Sequence, residues 1–250
     1  TMKRYLYLTK AMFLIHLRNR ATLFWNLAFP IFLLLIYSAI FGHNQVSGVD
    51  YMTWVVPGVI VFNILAYGLL SSSTLMVELR QKGVLRRLQA SPVPARQLVG
   101  SYLTVNVLVC TLQAILILAF SVLFFRTSLT LSSALLAFPV VVGAVITCVA
   151  LGQVISGVAP TVGVAVIIGQ IANFSQMFIT DMIMPIEMMP EWLQKVAPYL
   201  PAYAVVQLVR PPLVTGRFGP ELVPNLLVAG LYALVAGLLA ALLFRWAPKE

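Results

Sequence analysis

The sequence predicts an all-α integral membrane protein with six transmembrane helices, and three observations predict it. Hydrophobic residues make up 61% of the 250 and charged residues 9%, against roughly 25% charged in a soluble domain. The apolar residues fall in uncharged runs of membrane length, and about 20 helical residues cross a hydrocarbon core. Lys and Arg gather on alternate connections between those runs, the asymmetry that orients a membrane protein. The net charge of +9 therefore belongs to topology and to anionic lipid. No nucleic-acid partner is expected.

Residues 3–20 are basic, and Tyr5, Leu8, Met12 and Ile15 share one helical face. This reads as an N-terminal interfacial helix on the inner leaflet. Ala21–Gly42 is uncharged and forms the first span, and the loop His43–Asp50, without Lys or Arg, lies outside. Residues 53–77 form the second span. The chain's sharpest polar interruption follows, with Glu78, Arg80, Gln81, Lys82, Arg86 and Arg87, and Arg96 beyond. Leu79, Val84, Leu85 and Leu88 give it a short apolar side, and Ser91-Pro92 is a helix-start signal. A basic helix between two spans sits on the cytoplasmic face, where a soluble partner can push.

Residues 98–125 form the third span. From Thr127 to Thr180 no charge appears in 54 residues. One helix of that length would run about 80 Å, so the chain must turn back, at Ser156-Gly157-Val158-Ala159-Pro160. The fourth and fifth spans are placed at 133–156 and 161–182. Residues 185–220 hold seven of the fifteen prolines. Two amphipathic pieces there, Glu191–Ala197 and Ala202–Arg210, are too short to span. They read as an external re-entrant hairpin, with a plain external loop as the alternative. Leu222–Phe244 is the sixth span, and Ala229, Ala233, Gly237 and Ala241 mark a close helix contact on it.

With both termini cytoplasmic, the inner segments hold five, five and two Lys/Arg of sixteen, and five of the seven acidic residues lie outside. Trp25, Trp54, Trp192 and Trp246 all fall near span ends, as an interfacial aromatic belt requires. The whole of 1–250 reads as one transmembrane domain.

The chain carries no phosphate-binding GxxxxGK[ST] loop, HExxH or GxSxG motif. Its histidines, His16 and His43, are expected on opposite sides of the membrane, and Cys110 and Cys148 sit in apolar runs as free thiols. No catalytic, cofactor or metal site is expected. Asp181, at the outer end of span five, is the one carboxylate near membrane depth, and an interfacial role is weighed above ion coupling. Gln170, Asn173, Met177 and Thr180 form a polar–apolar stripe on span five, with Gln176 alongside. Phe62 and Asn63 lie in span two, and Asn106 and Gln113 in span three. Such groups either bond between helices or line a path.

Two segments carry a family resemblance. Glu78 to Leu88, reading ELRQKGVLRRL and leading to Ser91-Pro92-Val93, is one. The Pro-rich stretch Pro185-Ile186-Glu187-Met188-Met189-Pro190-Glu191-Trp192-Leu193, running on to Pro198-Tyr199-Leu200-Pro201, is the other. With the basic N-terminal helix, these resemble the permease subunit of an ABC exporter of the type-two class, similar in architecture to the type V exporters. The resemblance implies a coupling helix at 78–90 docking into a separate ATPase. Val84, Leu85 and Leu88 would then be its apolar knob, Arg86 and Arg87 its rim, and Glu78 its anchor to a neighbouring base. It implies an external gate around Asp181, Pro190, Trp192 and Pro201. It also implies a second permease chain, identical or not, with spans two and five lining the path through Phe62, Asn63, Gln170, Asn173 and Met177. No ATPase domain is found in the 250 residues, so ATP and Mg belong to the partner. The expected function is ATP-driven outward movement of an amphipathic or lipid-linked substrate across the plasma membrane. An ion-coupled carrier would call for midplane carboxylates and inverted repeats. A lipid-modifying enzyme would call for a clustered acid/base set. Neither pattern is found.

Overall fold

The structure, a computed structural model, describes residues 2–42, 44–46, 48–89 and 95–244. The helix start expected at Ser91-Pro92, His43 and the tail 245–250 with Trp246 lie outside these residues. Six helices are long and apolar enough to cross a membrane. The first is α2 (Arg20–Phe41), preceded by α1 (Met2–Arg18). A two-stranded hairpin, β1 (Gln45–Val46) and β2 (Val49–Asp50), joins it to span two. Span two is one continuous helix, Tyr51–Gln81, built from α3 (Tyr51–Ala66), a π-helical stretch Tyr67–Ser72 and α4 (Ser73–Gln81). After it come α5 (Val84–Gln89), α6 (Ala95–Phe125), α7 (Leu131–Val158) and α8 (Val162–Ile179). Two short helices, α9 (Glu191–Val196) and α10 (Pro201–Thr215), precede α11 (Leu222–Leu243).

The helix ends follow local chemistry. Asp50 accepts from the backbone N–H groups of Met52 and Thr53, capping span two. Thr130 and Thr161 do the same for α7 and α8 through Ser133 and Val164. The reversal between spans four and five falls at residues 159–161, overlapping the end of the Gly/Pro stretch that predicts it. α10 has 15 residues, about 22 Å of helix, short of a crossing.

Span two is the axis of the bundle. Its hydrophobic window is 89% buried, against 22% for α8 and 11% for α11. A helix apolar all round must be enclosed all round, and residues 51–65 of α3 are buried on every face. Its π-helical stretch meets α7 at backbone contact. A Cβ on Gly152 would lie 1.8 Å from the Gly68 carbonyl oxygen, so only glycine fits there. Ser73 and Thr74 turn their hydroxyls back to the carbonyls of Leu69 and Leu70, supplying donors where the i→i+4 ladder is interrupted.

The two ends of the bundle are distinct. The hairpin, the 126–130 turn and residues 180–221 share one end, tied by the bond from Tyr51 Oη to the Ile183 carbonyl (2.9 Å) and from the Ser128 N–H to Thr53 Oγ1 (3.4 Å). At the other end lie α5, the 159–161 turn and α1. The last packs on the start of α6, where Tyr5 Oη donates to the Gly100 carbonyl and shares a 2.6 Å hydrogen bond with Thr104.

Three sequence expectations shift. The packed face of α1 runs through Tyr5, Met12 and His16, and Ile15 is exposed. The His16 ring packs at a tilt against Tyr67 of span two, centroids 5.3 Å apart, and an aromatic ring can take that place where hydropathy alone ranks Ile15 first. On α11 the buried positions are Asn225, Ala229 and Ala236, and Gly237 is exposed. Four-residue steps advance about 400° around a helix, so a strict four-repeat drifts off the contact stripe. The basic helix expected over 78–90 is broken: residues 78–81 end span two, and Gly83, at φ +68°, turns the chain into α5. A positive φ there is open to glycine at little cost.

Candidate functional site

Two cavities lie along the wall formed by α2, span two and α8. One, of about 280 Å³, is bounded by Asn26, Phe29, Phe62, Asn63, Gln170 and Asn173. Asn63 Nδ2 donates to the Asn26 carbonyl (2.6 Å), and Asn26 Nδ2 to Ser71 Oγ (3.2 Å), so this polar wall is fixed by bonds between helices. Asn173 is 2% exposed and its Oδ1 finds no partner among the described residues. Phe29 and Phe62 face each other at 5.8 Å. The second cavity, about 720 Å³, lies at the hairpin end and takes in Met177.

The hairpin end is clamped by a buried ion pair. Asp181 follows α8 and Arg210 sits on α10, both about 8% exposed at the side chain. The guanidinium donates to Asp181 Oδ2, to the Asp181 carbonyl and, at 3.4 Å, to the Met182 carbonyl. Gln207 Nε2 donates to the same carboxylate (2.9 Å), and the guanidinium lies 3.9 Å over the Trp54 ring of span two. Burial pushes the Asp181 carboxyl above its ordinary range, while Arg210 pulls the other way. Burial in such a setting is tolerable only with this pairing and hydrogen bonding.

The α5 end has a different fastener. Arg80, 5% exposed, donates to the Ser156 carbonyl (2.8 Å) and to the Ala159 carbonyl. These carbonyls belong to the last turn of α7 and its cap, the negative pole of that helix. Nearby, Gln153 Nε2 donates to Ser72 Oγ (2.9 Å) and Tyr102 Oη (3.2 Å), joining α7 to spans two and three.

With this geometry in view, the comparison with known families is decisive. The family model of the ABC-2 type transporter matches residues 3–214. The chain belongs to the ABC-2 transporter family. Among curated proteins, none matches it.

In this ABC-2 permease the predicted path residues divide between the two cavities. Phe62, Asn63, Gln170 and Asn173 share the smaller one, and Met177, one turn further along α8, lines the larger. Gln176 lines neither cavity: its Oε1 accepts from the Ala202 N–H at the start of α10 (3.2 Å). The four predicted gate residues fall in separate settings. Asp181 is in the ion pair, Pro190 lines the larger cavity, Trp192 is exposed, and Pro201 opens α10 in a buried position.

The residues of the predicted coupling segment also divide. Leu85 is 1% exposed and packs into the ABC-2 chain's own core, where the resemblance implies an apolar knob. Val84 and Leu88 are half-buried against that core. Arg86 and Arg87 are exposed. Among the described residues, Glu78 pairs with Lys82 one turn on. Arg80, Arg210, Gln153 and His16 are absent from the sequence-derived site. For Arg210 a signal existed: it and Asp181 are opposite charges that bound the Pro-rich segment expected on one side of the membrane.

Proposed function

We propose that this chain is the transmembrane subunit of an ATP-driven exporter, moving an amphipathic or lipid-linked substrate outward. A separate ATPase subunit would supply the work, holding ATP and Mg itself, and a second permease chain would complete the path. The observation that carries this reading is the linkage at the α5 end. A short helix with exposed Arg86 and Arg87 continues through one glycine turn from the most buried span. A push on α5 is thereby a push on span two, and through Arg80 on the end of span four. In this reading α5 is the coupling helix on the cytoplasmic side of the plasma membrane, with both termini. α1 is the inner-leaflet helix, and residues 185–220 are the external re-entrant hairpin. The smaller cavity, with Asn63, Asn173 and Phe62, is the mid-depth part of the path.

The test is co-purification of an ATPase with the chain, and substrate-stimulated hydrolysis in liposomes. Reversing both charges, Arg86→Glu with Arg87→Glu, should release the ATPase or cut stimulated hydrolysis at least about tenfold, since rim charges cost less singly than together. A double variant that keeps its ATPase and transports normally would contradict the reading.

A further inference from the structure

The larger cavity, at the hairpin end, has a lining of its own. Its volume of about 720 Å³ falls in the range of roughly 300–1,000 Å³ that encloses drug-sized ligands. Among the described residues no Lys, Arg, Asp or Glu lines it, so a charged guest would lose its hydration with no countercharge from them. One wall is aromatic. Tyr37 and Phe41 stack at 26°, Phe41 meets Tyr51 at 5.1 Å, and the Tyr51 hydroxyl is tied to the Ile183 carbonyl. The rest of the lining, with Phe178, carries four of the chain's nine methionines, at 177, 184, 188 and 189. Thioether side chains are unbranched and polarizable, and they adapt to ring edges and faces of varied shape. A fixed aromatic shelf facing adaptable methionines suits a flat ring system, and the side-chain amides of Asn44 and Gln45 at its rim suit a carbonyl or N–H on it.

We infer that this cavity binds an uncharged, flat aromatic molecule between the Tyr37–Phe41–Tyr51 shelf and the methionines. The inference rests on the exporter reading and deepens it. Asn173 in the smaller cavity and Met177 in the larger are one helical turn apart on α8, so the aromatic site is the outer station of the same path.

Benzophenone is the probe for the test. Its photoexcited ketone takes a hydrogen atom from a carbon beside a methionine sulfur, and the two carbon radicals join. No atom is lost, so the adduct carries the summed mass. The full chain in nanodiscs of neutral phospholipid is irradiated with increasing probe and mapped by mass spectrometry. Saturable adducts on Met184 or Met188 are expected, displaced by excess fluorenone but not by benzoate or benzyltrimethylammonium. Phe41→Leu, which keeps the site filled but removes a ring, should weaken apparent affinity up to about tenfold, the scale of one aromatic contact. Phe124→Leu, in an exposed ring of span three outside the cavity, should leave it unchanged. Labelling that rises linearly with probe and spreads over exposed apolar residues would mean the cavity holds only lipid, and would overturn the proposal. So would equal displacement by benzoate, or loss of labelling whenever a second copy of the chain is bound. No ATPase enters this experiment. Saturable labelling in a chain that neither binds an ATPase nor transports would sink the exporter reading alone, and absent labelling in a chain that does both would sink the site alone.

Discussion

Span two is fastened at each end by a buried arginine, and the two fasteners are built differently. At the hairpin end, Arg210 comes from α10 and closes on a carboxylate, two carbonyls and the face of Trp54. At the α5 end, Arg80 comes from span two itself and closes on carbonyls at the end of α7. Breaking the first strands a buried charge, which nothing nearby can replace. Breaking the second leaves uncharged helix-end carbonyls without their donor, which costs less than a stranded charge. The difference makes the hairpin end the fixed one and the α5 end the one that can be moved.

The largest effect should come from the fixed end. Arg210→Ala leaves Asp181 buried and unpaired, a loss of about 3–5 kcal/mol, read as a fall in the thermal midpoint of the purified chain. The double variant Arg210→Met with Asp181→Leu should recover most of that loss, because a buried pair is often matched by apolar residues of similar volume. A single variant as stable as the wild type would show that the pair is not a clamp.

Next comes Leu85→Ala at the other end. A buried leucine truncated to alanine costs at least about 2 kcal/mol, and this one should lower the melting temperature with no ATPase present. Loss of ATPase binding at unchanged stability would restore Leu85 as a knob for the partner. Arg80→Ala should be milder, about 1–3 kcal/mol, and local: faster backbone hydrogen exchange around residues 153–161, with residues 205–213 unaffected. Uniform acceleration in both regions would erase the contrast between the ends.

The smallest effect is a pH dependence of α1. Burial lowers the His16 pKa below its ordinary 6.5, so the packed helix favours neutral imidazole. Its contribution is fully present above pH 6.5 and is lost as pH falls below it, by at most about tenfold in the docking equilibrium per pH unit. Protection of the amides in residues 5–16, taken relative to their intrinsic exchange at each pH, should fall between pH 7 and 5.5, and His16→Gln should flatten the profile. An unchanged wild-type profile would mean that protonated His16 packs equally well.

The helices themselves were legible because uncharged run length and Gly/Pro punctuation are properties of neighbouring residues. The reversal at 159–161 is an example. What was illegible depends on distant partners. The pattern over 78–90 reveals an apolar side holding Leu85, but not whether that side meets the chain's own core or another protein. Gly83 inside a helical pattern is locally tolerable, and only its positive φ marks the break. Asp181 reads as a carboxylate at the outer end of span five and Arg210 as the end of a short amphipathic piece; 29 residues apart, they pair only once α10 packs on span two. Ile15 outranks His16 by hydropathy, yet Tyr67 awaits a ring at that position. For the site, the polar stripe located one wall of the smaller cavity, while the division of Met177 into a second cavity required the packing of α2 and the 183–193 segment.

The most direct test of a fixed end and a movable end is a pair of spin-label distances in the chain assembled with its ATPase. Gln81→Cys with Thr161→Cys reports the α5 end, and Gln45→Cys with Thr215→Cys the hairpin end; all four positions are exposed, and Cys110 and Cys148 are buried. On adding ATP, the Gln81–Thr161 distance should change by several ångströms while the Gln45–Thr215 distance stays within its original distribution. A shift confined to the hairpin-end pair, or no shift at the α5 end during active hydrolysis, would contradict the account.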